Sequence, residues 1–243
     1  MPSFQEIYDT VSEEMGEWKG QPVNYWKGIY RSLLWYDQGV PHIVEANDLK
    51  KEPWRSRAKQ VEARLAQAYG CQPEQVTDRI DRVFRKLGLE GKQRNNYTGI
   101  GFTAAIYSLM RDRSRGQYEF IPEAVVGRDV FQGVTHPPRQ RIDLVAVHTG
   151  RQQEYAIVSM KWSVRHDRLR DLLDECNFYK INARLPYYFV VTNEFNPSRI
   201  SVMLRNKCIN GLFHLNKQLL LEVQGRDRLL EGVSDLTDLF DYF

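Results

Sequence analysis

Apolar residues recur at helical spacing through the first third of the chain and at strand spacing after residue 140, and this change of period divides the sequence. Residues 3–15 place Phe4, Ile7, Tyr8 and Val11 on one helical face. The aromatic-rich run 24–36 keeps the same period. In residues 54–70, Trp54, Ala58, Val61 and Leu65 follow at steps of four, three and four, and Gly70 suits a C-terminal stop. Pro73 and Gly88 bracket a further helix at 73–87. The polar, basic stretch 86–99 (KLGLEGKQRNNYTG) reads as a loop, and residues 99–111 as a buried helix. From 141 onward, RIDLVAV (141–147) and EYAIVSM (154–160) are short runs with β-branched residues, joined by a segment containing Gly150, and predict a hairpin. A charged helix at 167–183, a buried strand at 187–192, a helix at 198–208 and a strand at 211–215 follow, while 216–223 fits either period. This order predicts an α/β (α+β) fold, a mixed central sheet flanked by helices with a helical N-terminal portion. The division expected is 1–95 for the helical portion and 96–243 for the core, or one continuous domain.

Composition adds little to this picture. The chain has 243 residues, 42% hydrophobic and 27% charged, ordinary values for a globular protein. Its 34 basic and 31 acidic residues leave a net charge of +3, which does not exclude a basic face against nucleic acid. Cys71, Cys176 and Cys208 are odd in number and widely spaced, with no CxxC pair, so neither a disulfide framework nor a zinc ribbon is expected. Three reduced thiols in a cytoplasmic protein is the simplest expectation. No secretory leader and no apolar run long enough to span a membrane is expected.

The candidate chemistry lies in the hairpin. Asp143 interrupts an apolar strand, between Ile142 and Leu144, and a charge placed there needs a partner. Lys161 ends the second strand, and Ser159, two residues earlier, points to the same side. Hydrolysis of a phosphodiester needs a carboxylate to hold a hard cation such as magnesium, and a group to orient water and stabilise developing charge. Asp143 and Lys161 supply these parts, but one carboxylate is a thin metal site. The helix after Lys161 offers Asp171, Asp174 and Glu175. At about 100° per residue, Leu169, Leu172, Leu173, Cys176 and Tyr179 form its apolar stripe. Asp174 lies roughly 165° from the centre of that stripe and Glu175 about 95°, so Glu175 is the better placed acid.

These residues resemble the PD-(D/E)xK nucleases, the superfamily of most type II restriction endonucleases. Asp143, preceded by Ile142 where the family has proline, matches the first half of the motif. Ser159-Met160-Lys161 matches the second half, with serine in place of the usual acid. One branch of restriction enzymes has SxK in this place and carries the missing acid on the following helix, 14 residues beyond the lysine, and here that position is Glu175. That branch has arginine four residues before the glutamate, where this chain has Asp171. The resemblance spans roughly residues 120–195. It implies a restriction-endonuclease-like fold, a Mg2+ cofactor, and catalytic roles for Asp143, Ser159, Lys161 and Glu175, with Asp143 and Glu175 on the metal. Some members add an upstream acid, and Glu123, placed after Pro122 as a first-turn helix residue, is the candidate ahead of Glu119.

Contacts to DNA are expected from three places. Arg165, His166 and Arg168 form a cationic cluster just after Lys161. Arg139 and Arg141 lead into Asp143, and Lys92, Arg94, Asn95 and Asn96 lie in the 86–99 stretch. The segment 195–199 offers one more contact. Sequence-specific cleavage of double-stranded DNA, with a palindromic site and a homodimer, is the leading expectation. A repair or recombination nuclease on the same core and a non-catalytic DNA-binding protein are the alternatives.

Overall fold

The computed structural model describes residues 2–26, 63, 65–67, 69–90, 92–114, 116–164, 166–224 and 230–243. Most of the expected helices at 24–36 and 54–70 therefore lie outside the described residues. The chain divides into two compact units, Met1–Leu109 and Met110–Phe243.

In the first unit, α1 (Phe4–Met15) begins with a capping box. The Ser3 side chain accepts from the Glu6 N–H while the Glu6 carboxylate accepts from the Ser3 N–H. Its buried face is Phe4, Ile7, Tyr8, Val11 and Met15. Two short strands, β1 (Glu17–Trp18) and β2 (Gln21–Pro22), pair antiparallel. Helix α2 (Pro73–Lys86) starts on a proline, whose missing N–H is no loss in a first turn. Helix α3 (Lys92–Arg113) corrects the loop expected at 86–99. It runs through Gly99 and Gly101, because the burial of Phe102, Ala104, Ala105, Ile106, Leu109 and Met110 outweighs the weak local propensity. The unit boundary falls inside this helix, as does the boundary expected after residue 95.

The second unit is built on a six-stranded sheet. Its strands are β3 (Tyr118–Val125), β4 (Arg141–His148), β5 (Gln153–Lys161), β6 (Tyr187–Thr192), β7 (Gly211–His214) and β8 (Ser234–Asp235), adjacent in that order. Pairing is antiparallel from β3 to β5 and parallel from β5 to β8. Parallel neighbours need crossovers, and α4 (His166–Asn182), α5 (Pro197–Arg205) and α6 (Lys217–Gln224) lie between successive parallel strands. The mixed sheet with flanking helices and helical segments before it is the architecture expected from the sequence. The hairpin, the helix after it and the strand at 187–192 fall within two residues of their expected bounds. Strand β3 was not anticipated. It tolerates Pro122 because it is the edge strand.

Register separates the two faces of the sheet. Val145 pairs with Ile157, Ile157 with Tyr188, and Ser159 with Val190. By the two-residue period, Asp143, Ser159, Lys161 and Tyr188 therefore share one face. The opposite face carries Phe120, Phe189 and Phe213. These rings pack with Tyr242 and Phe243, at the end of a 3-10 helix (Leu236–Tyr242). Cys176 of α4 is disulfide-bonded to Cys208, with Cα atoms 5.8 Å apart, which corrects the expectation of three free thiols. The pairing is a product of the crossover and leaves no trace in the sequence spacing. Among the described residues no helix is long and apolar enough to cross a membrane.

Helix α4 is seated by Leu172, Cys176 and Tyr179, all fully buried. Leu172→Ala is expected to lower unfolding free energy by about 3 kcal/mol, the usual cost of such a cavity. Urea denaturation of both chains checks this, and a loss well under about 1 kcal/mol would mean that α4 is not seated by this residue.

Candidate active site

Asp143 is the hub of the site. Its Oδ2 accepts from the Lys161 ammonium at 2.5 Å, from the Met160 backbone N–H at 2.8 Å and from the Ser159 hydroxyl at 3.3 Å. Charge-assisted and backbone bonds on one oxygen fix the carboxylate against β5. The end of β5 is itself anchored. The Lys161 carbonyl accepts from the Thr192 hydroxyl at 2.8 Å and from the Asn193 N–H at 3.3 Å. The strand thus brings Asp143, Ser159 and Lys161 together.

Glu175 reaches the same face from α4. It is only 2% exposed, a costly position for a carboxylate. Its Oε1 accepts from the Tyr188 hydroxyl at 2.8 Å, and Arg139 Nε stands 3.5 Å from its Oε2. Burial is the main cause that pushes its pKa above the ordinary carboxylate range. The Lys161 charge opposes the rise, the negative charge of Asp143 adds to it, and Arg139 and the Tyr188 hydroxyl oppose it. Asp174, next along the helix, is 63% exposed in its side chain and pairs with Arg170 at 3.8 Å.

Glu123 lies on β3, and this corrects its expected place in a helix. Pro122 pairs with Leu144 and Ala124 with Ile142, so Glu123 comes opposite Asp143. Its backbone has φ 49°, in the left-handed region that a glutamate rarely adopts. Burial first, and then the charge of Asp143, raise its pKa from 4.5 to about 7, against the pull of Arg141 and Lys161. Glu119 is exposed, opposite Val147 and four residues further along the strand.

The cationic residues divide. Arg139 turns inward, to Glu175 and, at 3.7 Å, to Asp171. Arg141 is exposed on β4 near Glu123. Arg168 is half exposed and stands 3.9 Å from Asp171. Arg165 lies outside the described residues, as do the side chains of His166, Lys92, Arg94, Asn95 and Asn96. The last four belong to the first turns of α3 rather than to a loop. Arg199, from the 195–199 segment, bonds to the buried Glu194 at 3.2 Å.

No known family model matches the sequence, and no curated protein matches it. Among solved structures, the chain is similar to one described as a restriction endonuclease PspGI–substrate DNA complex. The TM-score is 0.49 at 12% identity, covering 99% of this chain and 91% of the other. It is also similar to metal-depleted Ecl18kI in complex with uncleaved DNA, with TM-score 0.43, 13% identity, and 99% and 83% of the two chains covered.

Two residues at the site carried no earlier signal. Tyr188 sits in the continuous apolar run YYFVVT, and its place on the Asp143 face follows from the pairing of β5 with β6. Glu194 is buried and accepts from the N–H groups of Val164, Phe195 and Asn196, tying together the loops after β5 and β6. A short polar TNE after an apolar run reads as any loop.

Among the described residues, no three His, Cys, Asp or Glu side chains stand close enough to hold a metal ion by themselves. Magnesium does not require that, because it keeps several waters and takes one or two carboxylates besides phosphate oxygens. Asp143 and Glu175 are hard oxygen donors, and the charge of Asp143 disfavours ionisation of both Glu175 and Glu123. A divalent cation relieves that repulsion, so the donor set fits one.

The raised pKa of Glu123 has a consequence for stability. The folded chain holds this proton to about pH 7, whereas an unfolded glutamate releases it near 4.5. The unfolded state therefore binds fewer protons in that window, and stability falls as pH rises through it, then levels off. In chelator, wild-type protein should lose about 2 kcal/mol more than Glu123→Gln between about pH 4.5 and 7.5, allowing for solvent screening. Denaturation midpoints across this range test it, and parallel curves for the two chains would place Glu123 in an ordinary ionised state.

Proposed function

We propose that this chain is a magnesium-dependent type II restriction endonuclease that cleaves double-stranded DNA at a specific site. The observation that carries the reading is the Asp143–Lys161 pair on the same sheet face as Ser159, with Glu175 brought onto that face by the next helix. It supports reading the motif as the variant in which serine replaces the strand acid and a helical glutamate supplies it.

Asp143 and Glu175 would hold Mg2+, with Glu123 as a further acid on the Asp143 side. Bound there, the cation would neutralise the scissile phosphate and lower the pKa of attacking water. Lys161, held at Asp143, orients that water and stabilises charge as it develops on the phosphoryl oxygens. Ser159 supports Asp143 from below. Arg141 and Arg168 are exposed cations within the same unit and suit DNA phosphates, as does Arg165 by its place after Lys161. Arg139, beside its pairing with Glu175, is proposed as a further DNA contact by its place before Asp143. Lys92, Arg94, Asn95, Asn96 and His166 are proposed DNA contacts on sequence grounds alone. A palindromic site cut in both strands calls for a homodimer with one such centre per strand.

The test is single-turnover digestion of a long defined DNA by saturating enzyme. Cleavage is expected with Mg2+ and none in EDTA, and sequenced ends should share one motif. Glu175→Ala should slow cleavage by at least on the order of a hundred- to a thousandfold, while Asp174→Ala keeps most of the rate. Undiminished cutting in EDTA would sink the mechanism. An active Glu175→Ala beside an inactive Asp174→Ala would assign the helical acid to the other residue.

A further inference from the structure

Glu175 sits on a helix, and its three side-chain torsions must be fixed before it can serve a cation beside Asp143. We propose that Tyr188 is the positioning residue that does this, its hydroxyl holding Glu175 while that of the neighbouring Ser159 holds Asp143. The inference rests on the metal-dependent nuclease reading and deepens it.

This role follows from register and burial. Tyr188 pairs with Ile157 on β5, and two residues on Val190 pairs with Ser159, so tyrosine and serine are neighbours on one face. Tyr188 is fully buried, and its hydroxyl donates to Glu175 Oε1 at 2.8 Å. The Ser159 hydroxyl, beside that phenol on the neighbouring strand, donates its one proton to Asp143 Oδ2 at 3.3 Å. Two adjacent hydroxyls on central strands thus each hold one carboxylate, Ser159 that of Asp143 and Tyr188 that of Glu175 on α4. Arg139, another contact to Glu175, stands further off at 3.5 Å and comes from the segment before β4. Partners that orient a ligating carboxylate commonly set its metal affinity. A serine at 159 is the right size for this task. A carboxylate there would face Tyr188 and Asp143 with charge instead of a donor.

A purely structural tyrosine would satisfy a buried acid and no more, so the test reads metal affinity apart from folding. Tyr188→Phe keeps the ring and removes the hydroxyl. Mn2+ binding to the full chain, followed by calorimetry, should weaken roughly ten- to a hundredfold. The Mn2+ concentration for half-maximal DNA cleavage should rise in parallel, and most of the rate should return at saturating Mn2+. Tyr187→Phe, which removes a hydroxyl from the neighbouring position on the same strand, should leave both readings unchanged. Tyr188→Phe added to Glu175→Gln should weaken binding no further than Glu175→Gln alone. Ser159→Ala should shift affinity in the same direction by less, and it carries the test if Tyr188→Phe does not fold. Unchanged Mn2+ affinity in a folded Tyr188→Phe overturns the inference, as does an equal loss in Tyr187→Phe. A wild-type chain that neither binds Mn2+ nor cuts DNA overturns the nuclease reading itself, and the role of Tyr188 with it.

Discussion

Like charge gathered on a mostly buried sheet face is the constraint on which the second unit depends. Two unit charges roughly 5 Å apart, at an effective dielectric of about 20, repel by about 3 kcal/mol. Asp143 and Glu175 share such a face, and Glu123 lies opposite Asp143 across the edge strand. The protein answers the repulsion in two ways. Lys161 and Arg139 supply positive charge to Asp143 and Glu175. Burial and the field of Asp143 keep protons on Glu123 and Glu175 to higher pH than usual. The arrangement costs stability, and a fold keeps such a cost where a function uses it.

The rest of the unit serves that face. The antiparallel hairpin aligns Asp143 with Ser159, and the switch to parallel pairing at β5 brings Tyr188 alongside. Parallel pairing also demands a crossover, and that crossover is α4, the helix that carries Glu175. The aromatic cluster on the opposite face holds the strands from behind. Backbone strain appears at Glu123, with φ 49°, on the edge strand, where a broken ladder bond is least costly.

Local pattern made the hairpin, α4 and β6 legible, because each is a run whose period matches its structure. The helical wheel likewise separated Glu175 from Asp174, since burial along α4 follows its apolar stripe. What was not legible depends on contacts distant in sequence. Helix α3 reads as a loop from RNNYTG, and only its packed second half reveals why the first half is helical. Strand β3 hides behind Pro122, which looks like a helix start until the strand is known to be an edge. The Cys176–Cys208 bond and the Tyr188–Glu175 bond both join residues from separate elements, and no spacing rule anticipates either. Arg139 reads as a DNA contact, and its pairing with Glu175 at 3.5 Å joins two elements that no spacing rule links.

The serine at 159 makes sense once charge is considered across the whole face. An acid there would be buried beside Asp143 and would compete for the same lysine. Moving the second carboxylate to α4 spreads the charge over two elements and leaves a neutral hydroxyl that donates to Asp143. A cation held by these carboxylates would then depend on how α4 is seated on the sheet, not on one strand alone. Leu172, Cys176 and Tyr179, which seat that helix, thereby become part of what sets the geometry of the carboxylates, although none of them need touch a cation. A strand-borne pair of acids is rigid by construction. A pair split between strand and helix is only as rigid as the packing between them, and the Tyr188 hydroxyl supplies a direct polar link across that gap.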